Sequence, residues 1–438
     1  MASRKLVTSA VFALALLLRL LAIVAIGHNE LLHGTFELKN DESSYHRPAV
    51  ALATEGCYCW APGGQPTAYR PPGIILPLAA LYWFFDPAPE LALGYVLLCS
   101  MALVALLRPL ARATSADRRV ADAATWIAAL MPTLLWTSSG IWSDAPALLF
   151  TLLTLWLTIA MRADAWWKWL AVGASAALAY FNRPSAIFLF PFLLLAAVCS
   201  ASDRRRFRNV ALLALSLAMP IGVWGLRNWY AFGELYTGAT VAGHTVWESN
   251  NPLTAGLALP AKQFENGVDL WAEARAGHYL GSWVPAEYIP GSEVVDARTL
   301  PEMQTYHGYM NLAIDFARHH PLAIAKLMAF KLWRLFSAEP VAASISGDAG
   351  RFAVAKRSVL ILERWFIFAF AGLGLWQLYR TRSPVRHLYT AFAFAGLASV
   401  FVAYVNARLL LPVTGVLLVP AAMGLVWLWD RTLPSSSR

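Results

Sequence analysis

Charge is what this chain has least of. Only 14% of its 438 residues are Asp, Glu, Lys or Arg, against 58% hydrophobic residues, and the mean hydropathy is +0.51. That scarcity excludes a soluble globular chain, in which about a quarter of the residues are charged. Cysteine is nearly as rare, with Cys57, Cys59, Cys99 and Cys199 the only four. Cys57 and Cys59 are too close in sequence for a comfortable disulfide and lack the partners of a zinc site, so no disulfide framework is expected. There is no internal repeat, and no small-residue cleavage site follows the first apolar run, Leu6–Ile26. That run is read as a retained span rather than a signal peptide. The formal charge of +9 lies in short blocks between apolar runs, a distribution that argues against nucleic-acid binding.

What is there instead is membrane-spanning sequence. A span takes about 20 mostly apolar residues. Such runs fall near Leu6–Ile26, Glu90–Leu107, Val120–Ser138, Asp144–Met161, Lys168–Phe181, Pro184–Ser200, Asn209–Leu226, Val359–Tyr379, Leu388–Tyr404 and Leu409–Trp429. Basic clusters at Arg108–Arg119, Arg204–Arg208 and Arg380–Arg386, with Arg4, Lys5 and Arg431 at the ends, are all cytoplasmic by the positive-inside rule. This scheme accommodates them without conflict and puts both termini inside. Gly73–Phe85 is then a re-entrant or interfacial helix. Pro321–Phe336, with Lys326, Lys331 and Arg334 on one helical face, lies on the outer surface.

The expected fold is an all-α polytopic membrane protein of about 10–12 membrane helices, with outer juxtamembrane helices and a long outer loop. Residues 1–438 form a single membrane domain, in which 28–86 hold the first outer loop and the re-entrant or juxtamembrane helix. Residues 227–356 hold the large outer loop and interfacial helix, and 357–438 the C-terminal spans. Trp247, Trp271 and Trp283 suggest that the large loop is partly ordered.

The spans are nearly free of ionisable groups. Arg19 is the exception, placed to snorkel outward. A transporter keeps such groups near the middle of its spans, so a lipid-linked sugar flippase is disfavoured. Polar residues gather instead where spans meet the outer loops: Asp41, Glu42, Arg70, Asp144, Asn182, Arg183, Arg227, Asn228, Asn406 and Arg408. Several guanidiniums at headgroup depth suit a phosphate, which they grip with bidentate, charge-assisted hydrogen bonds. The acidic pair Asp41-Glu42 admits two readings, a helix start or a base at the water–lipid boundary. Asp144 has the same two readings, as a helix cap or a site acid. Glu42 and His46, four apart, leave room for a divalent metal with His244 or His278, though no tight ligand pattern is present.

These residues fall into motifs that resemble a known family. Asp41-Glu42 with Tyr45, then Ala51-Leu52 and Gly56, then Tyr69-Arg70-Pro71-Pro72-Gly73, resemble the first outer loop of the GT-C glycosyltransferases. The likeness is to the branch holding protein O-mannosyltransferases and the aminoarabinose–lipid A transferase. Asp144, Phe181 to Pro184, Leu226 to Gly233, Glu248 to Pro252, His320-Pro321, Lys331 to Arg334 and Ala407 to Pro412 continue it in order. The resemblance implies transfer of a sugar from a polyprenyl-phosphate carrier to a protein, lipid or glycan acceptor on the outer face, with inversion. It implies Asp41 beside the acceptor, Arg70 on the donor phosphate and Asp144 as a second acid, with Glu42 in support. Arg183, Arg227 and Arg408 are further phosphate candidates. Tyr45, Tyr69, Asn228, Asn251 and His244 are candidates for substrate contact. Pro48 departs from the family pattern, and places the start of the following helix near Tyr45 or His46. A ligase using a lipid diphosphate donor is the remaining alternative.

Overall fold

The computed structural model describes residues 2–162, 165–200, 203–250, 264–265, 268–269, 301–336, 351–403 and 405–432. Apart from a two-residue antiparallel pairing, Phe264–Glu265 with Val268–Asp269, the described elements are helical, as the apolar runs require. In chain order they are α1 (Ala2–Ala22), α2 (Ser43–Glu55), α3 (Pro72–Phe84), α4 (Pro89–Thr114), α5 (Arg118–Leu130) and α6 (Pro132–Thr137). Next come α7 (Asp144–Ala160), α8 (Lys168–Asn182), α9 (Phe190–Cys199), α10 (Asp203–Phe232) and α11 (Val241–Ser249). The last are α12 (Glu302–His319), α13 (Pro321–Arg334), α14 (Arg351–Arg380), α15 (Arg386–Val402), α16 (Ala407–Val416) and α17 (Leu418–Thr432).

Among the described residues, four helices are long and apolar enough to cross a bilayer: Ser9–Gly27, Pro89–Thr114, Arg205–Phe232 and Ser358–Arg380. A fifth is the pair α16 and α17, bent by 61°. Other runs expected as spans are shorter or broken. Val120–Ser138 is split into α5 and α6 at Pro132, whose ring and missing N–H end one helix and start the next. Gly73–Phe85 is the 13-residue α3, too short to span and packed beside α2. The main core, including Leu103, Leu107, Leu152, Trp169 and Tyr389, joins α4, α5, α7, α8, α15 and α17. A second core under the loop that follows α1 holds Tyr45, Ile74, Ile75, Leu78, Ile141 and Trp224. Trp247 packs with Phe316 in a third, while Trp271 and Trp283 lie outside the described residues.

Three expectations are corrected by where side chains point. Arg19 does not snorkel: it is fully buried, donating to Ser100 Oγ at 2.7 Å and to the carbonyls of Ala15, Ala128 and Ala129. The break at Pro132 leaves the last carbonyls of α5 without helical donors, and Arg19 supplies them. Lys331 and Arg334 likewise turn inward, while Leu322, Leu332 and Trp333 of the same helix are exposed. Lys331 Nζ donates to Phe401 O at 2.8 Å, Ala403 O at 2.6 Å and Asn250 Oδ1 at 2.7 Å, closing the C-terminal end of α15. Finally, Cys57 and Cys59 are disulfide-bonded; the chain turns sharply enough there to bring the two side chains together.

Buried charge elsewhere follows one rule. Lys168 donates to Thr158 O and Met161 O at the end of α7, and Arg364 to Arg334 O and Leu335 O at the end of α13. Glu363 accepts from Thr133 N at the start of α6. Cations lie on helix C-termini and the acid on an N-terminus, the sense the macrodipole favours.

Candidate active site

Helix ends from distant parts of the chain meet in one cavity of about 310 Å³, at the small end of the range for ligand sites. Asp41 enters from a 3-10 turn, Asn40–Glu42, just ahead of α2. The helix starts at Ser43 rather than near Tyr45 and runs through Pro48. Asp41 therefore stands on the preceding turn, where Ser44 Oγ donates to its carbonyl. Arg70 precedes α3, whose first turn lies directly on the end of α8. A Cβ at Gly73 would collide with the backbone of Phe181 and Asn182, so only glycine permits this approach. Asp144 opens α7, Arg183 caps the end of α8, and Arg408 sits in the first turn of α16.

Their charges interlock. Arg70 Nη2 lies 2.8 Å from Asp41 Oδ1, and Arg408 Nη1 lies 3.4 Å from Asp41 Oδ2. Behind them, Arg408 Nε and Nη2 both donate to Asp144 Oδ2, at 3.1 and 2.9 Å. Arg183 Nη1 is 3.0 Å from Asp144 Oδ1 but donates to the carbonyl of Arg408 at 2.9 Å. Asp144 Oδ1 thus has charge beside it without a well-aligned hydrogen bond. The two carboxylates differ sharply in access: the Asp144 side chain is 1% exposed and that of Asp41 40%. Three guanidiniums face two carboxylates, leaving one positive charge in excess. Arg408 is a partly buried cation at a helix N-terminus, where the dipole opposes it. Stability alone does not call for that placement.

Aromatic faces hold the arginines in place. Arg70 lies over Tyr45 and Tyr69, 4.9 and 5.1 Å from the ring centroids, while its Nε donates to Ser44 Oγ. Arg408 lies 4.6 Å over Trp142, a contact worth about 0.5–2 kcal/mol. Tyr45 OH meets Ser143 Oγ at 3.1 Å. Asn182 faces the cavity with its Oδ1 buried and without a donor among the described residues. Ile187, Phe188, Val402 and Leu409 make the opposite flank apolar. The whole is a charged pole beside a greasy wall.

Glu42 supports this arrangement from below and does not line the cavity. It is 1% exposed, and Oε1 accepts from Ile141 N and meets His28 Nε2, both at 2.9 Å, while Oε2 accepts from Lys39 N at 2.6 Å. His28 in turn touches Glu30 Oε1 at 2.8 Å. Burial lowers the pKa of His28, but hydrogen bonds to Glu42 and Glu30 outweigh it and raise the value. Gly140 leaves room for the Glu42 contact, since a Cβ there would stand 2.7 Å from Oε1.

The structure does not bring Arg227 or Asn228 to the arginine group. Arg227 donates to the carbonyls of Thr67 and Tyr58 and to Asn228 Oδ1, and Asn228 Nδ2 donates to Tyr236 O. Together they clamp the loop between α2 and α3 to the end of α10. Nor are the suggested metal ligands assembled: Glu42 meets His28, His46 Nδ1 meets Tyr82 OH at 2.8 Å, and His244 packs on Tyr309. Asn251 and His278 lie outside the described residues. Ser44, Trp142, His28 and Glu302 carried no signal in the sequence. Glu302 accepts from Thr67 Oγ1, Ala68 N and Thr240 Oγ1, tying the loop ahead of α3 to the segment ahead of α11 close to Arg70.

A model of the dolichyl-phosphate-mannose-protein mannosyltransferase family matches residues 70–224, a stretch that includes Arg70, Asp144 and Arg183. No curated protein matches the chain. Among solved structures, the oligosaccharyltransferase of Archaeoglobus fulgidus, tethered to an acceptor peptide containing the NVT sequon, is similar with a TM-score of 0.50 at 13% identity. The match covers 96% of this chain but 49% of that one, so the chain spans about half its length. ArnT from Cupriavidus metallidurans bound to undecaprenyl phosphate has a TM-score of 0.41 at 14% identity, covering 95% of this chain and 77% of that one. Its apo form gives 0.42 at 13%, with 97% and 78% covered. The fold expected from the sequence motifs is borne out: apart from the pairing at 264–269 the described elements are helical, several are apolar enough for a multi-pass integral membrane protein, and the fold is of the GT-C type shared with the oligosaccharyltransferase.

Proposed function

We propose that the chain is a glycosyltransferase that moves a sugar from a polyprenyl-phosphate donor to an acceptor hydroxyl, at the outer face of the membrane and with inversion at the anomeric carbon. One observation carries this reading: a half-exposed carboxylate, Asp41, lines a cavity in contact with Arg70 and Arg408, with Arg183 and several apolar side chains lining the same cavity. Transfer from a phosphate needs little help for the leaving group, but it needs positive charge where the departing phosphate gains negative charge. It also needs a base within about 3 Å of the acceptor proton. Arg70 and Arg408 fill the first role and Asp41 the second. The buried Asp144 holds Arg408 from behind, and Glu42 holds the Asp41 turn. Ile187, Phe188 and Val402 offer the prenyl chain a wall to lie on, and Asn182 offers a sugar hydroxyl an acceptor. The matched family's description, with its dolichyl-phosphate-mannose donor, supports the same donor class.

The basic segments between spans support cytoplasmic termini and an outward-facing cavity. The single domain proposed for 1–438 agrees with the way α2, α8 and α16, far apart in sequence, share one cavity. The deciding experiment incubates purified protein with labelled polyprenyl-phosphate sugars and a panel of acceptors. Release of polyprenyl phosphate together with a glycosylated product is the expected result. Passage of intact donor across a sealed bilayer without cleavage, or use of lipid-diphosphate donors alone, would overturn the reading.

A further inference from the structure

The pairing of Asp41 with Arg70 and Arg408 raises a difficulty for a residue meant to accept a proton. Oδ1 faces Arg70 Nη2 and Oδ2 faces Arg408 Nη1, so both oxygens are turned toward the guanidiniums. Those are also the N–H groups a donor phosphate must take. Arg408 spends Nε and Nη2 on Asp144, and Arg70 spends Nε on Ser44. Asp41 therefore takes one N–H of each guanidinium, in the same cavity that a donor phosphate would enter.

We propose that Asp41 is the resting counter-ion of the phosphate site, and that the donor phosphate displaces it, freeing the carboxylate to act as base only once donor is bound. This rests on the glycosyltransferase reading and adds an order to it: donor first, acceptor second. The two carboxylates divide the work by access. Asp144, at 1% exposure with two hydrogen bonds from Arg408, is the fixed partner. Asp41, at 40% exposure and held by one contact to each arginine, is the exchangeable one. The donor's phosphodiester brings one charge on two free oxygens, as a carboxylate does, so the two are matched competitors for the guanidiniums, and burial of the prenyl chain on Ile187, Phe188 and Val402 favours donor.

The cycle closes in the other direction. In the transfer step Asp41 takes the acceptor's hydroxyl proton as the acceptor oxygen bonds to the anomeric carbon. The bond from that carbon to the phosphate oxygen breaks, and the phosphate leaves with the electron pair. Asp41 is then a neutral acid and cannot compete for the arginines. Once it gives its proton to water it can re-pair with Arg70 and Arg408 and help expel the polyprenyl phosphate. The same residue thereby gates entry and assists exit.

The inference predicts an effect opposite to that of an ordinary binding residue. Binding of geranyl phosphate to detergent-purified protein is measured by isothermal titration, with geraniol as the uncharged control. Asp41→Asn removes the competitor and should tighten geranyl phosphate binding by about threefold to tenfold, for the loss of one carboxylate paired with two guanidiniums at a partly exposed site. Turnover should fall by about 10² or more, because the amide cannot take a proton. Geraniol affinity should not move. The tightening should persist at high ionic strength, since contact pairs are screened far less than the long-range field. Equal or weaker geranyl phosphate binding in Asp41→Asn, or a gain that vanishes in high salt, overturns the counter-ion role and leaves the phosphate site intact. Failure of either protein to prefer geranyl phosphate over geraniol overturns the phosphate site itself, and the counter-ion role with it.

Discussion

Glu42 offers the sharpest test of whether the acidic pair is divided into a reacting residue and a supporting one. Its carboxylate receives Ile141 N, Lys39 N and His28 Nε2 within 2.6–2.9 Å, at 1% exposure. Glu42→Ala leaves two backbone N–H groups and one imidazole without their shared acceptor. Removing one side of such a buried, charge-assisted set costs about 3–5 kcal/mol. Glu42→Gln keeps one carbonyl oxygen but turns an NH₂ toward Lys39 N–H or His28, donor against donor, at about 1–3 kcal/mol. The order of unfolding temperatures should therefore be parent, Gln, Ala. Thermal unfolding in detergent, followed by tryptophan fluorescence and by loss of monodisperse protein, measures it. Turnover assayed well below each transition should be reduced far less than in Asp41→Asn. A Glu42→Ala protein that unfolds at the parental temperature yet has lost turnover would refute the reasoning, and would move Glu42 into the reacting group.

Four further outcomes are expected. His28 gains its raised pKa from Glu42 and Glu30, so the stability it contributes is fully present below about pH 6.5 and lost as pH rises through the raised folded value. The parent's unfolding temperature should drop on the alkaline side of neutrality and His28→Gln should flatten that drop; parallel curves would refute it. Arg70→Ala should weaken donor use with acceptor kinetics intact, and Arg70→Lys should recover part of it as a point charge; a change confined to the acceptor KM would exclude the donor role. Lys331→Met strands Asn250 Oδ1 and two carbonyls at the end of α15, and a loss of about 3–5 kcal/mol should show as early unfolding. In sealed vesicles, a cysteine at Glu37 should react with an impermeant reagent from outside, and cysteines at Arg112 or Arg382 should not; the reverse pattern would turn the cavity toward the cytoplasm.

The sequence was informative about depth and uninformative about direction. A bilayer drives charge to the ends of spans, so Asp41, Arg70, Asp144, Arg183 and Arg408 could be assigned to one level from their distance to the apolar runs. Arg227 and Asn228 stand at a span end too, yet they face the loop at Tyr58 and Thr67 instead of the cavity. Azimuth around a helix bundle is set by packing between helices hundreds of residues apart, and no local pattern encodes it. Arg19, Lys331 and Arg334 show the same limit. Their helices were legible, but which helix end would take the N–H groups of Arg19 and Lys331 was not, because that depends on where neighbouring helices stop in space. Cys57 and Cys59 failed differently: spacing alone says nothing about how sharply the chain turns between them. Asn251 and the tryptophans Trp271 and Trp283 lie outside the described residues.

The link between Arg408 and Asp144 joins residues 264 positions apart. In a chain that enters the membrane from its N-terminus, the carboxylate at 144 is made long before the arginine that neutralises it. Until then Arg183, 3.0 Å away in the finished fold, and Arg70 supply the positive charge near the acid that opens α7. A charge there is costly when unpaired, so α7 and α8 have reason to seat late or to be held by the insertion machinery. Arrival of α16 then completes the charge balance and the cavity in one event. A chain cut short before residue 408 would lack more than one arginine: it would keep a buried acid at 144 without the guanidinium that donates to it twice.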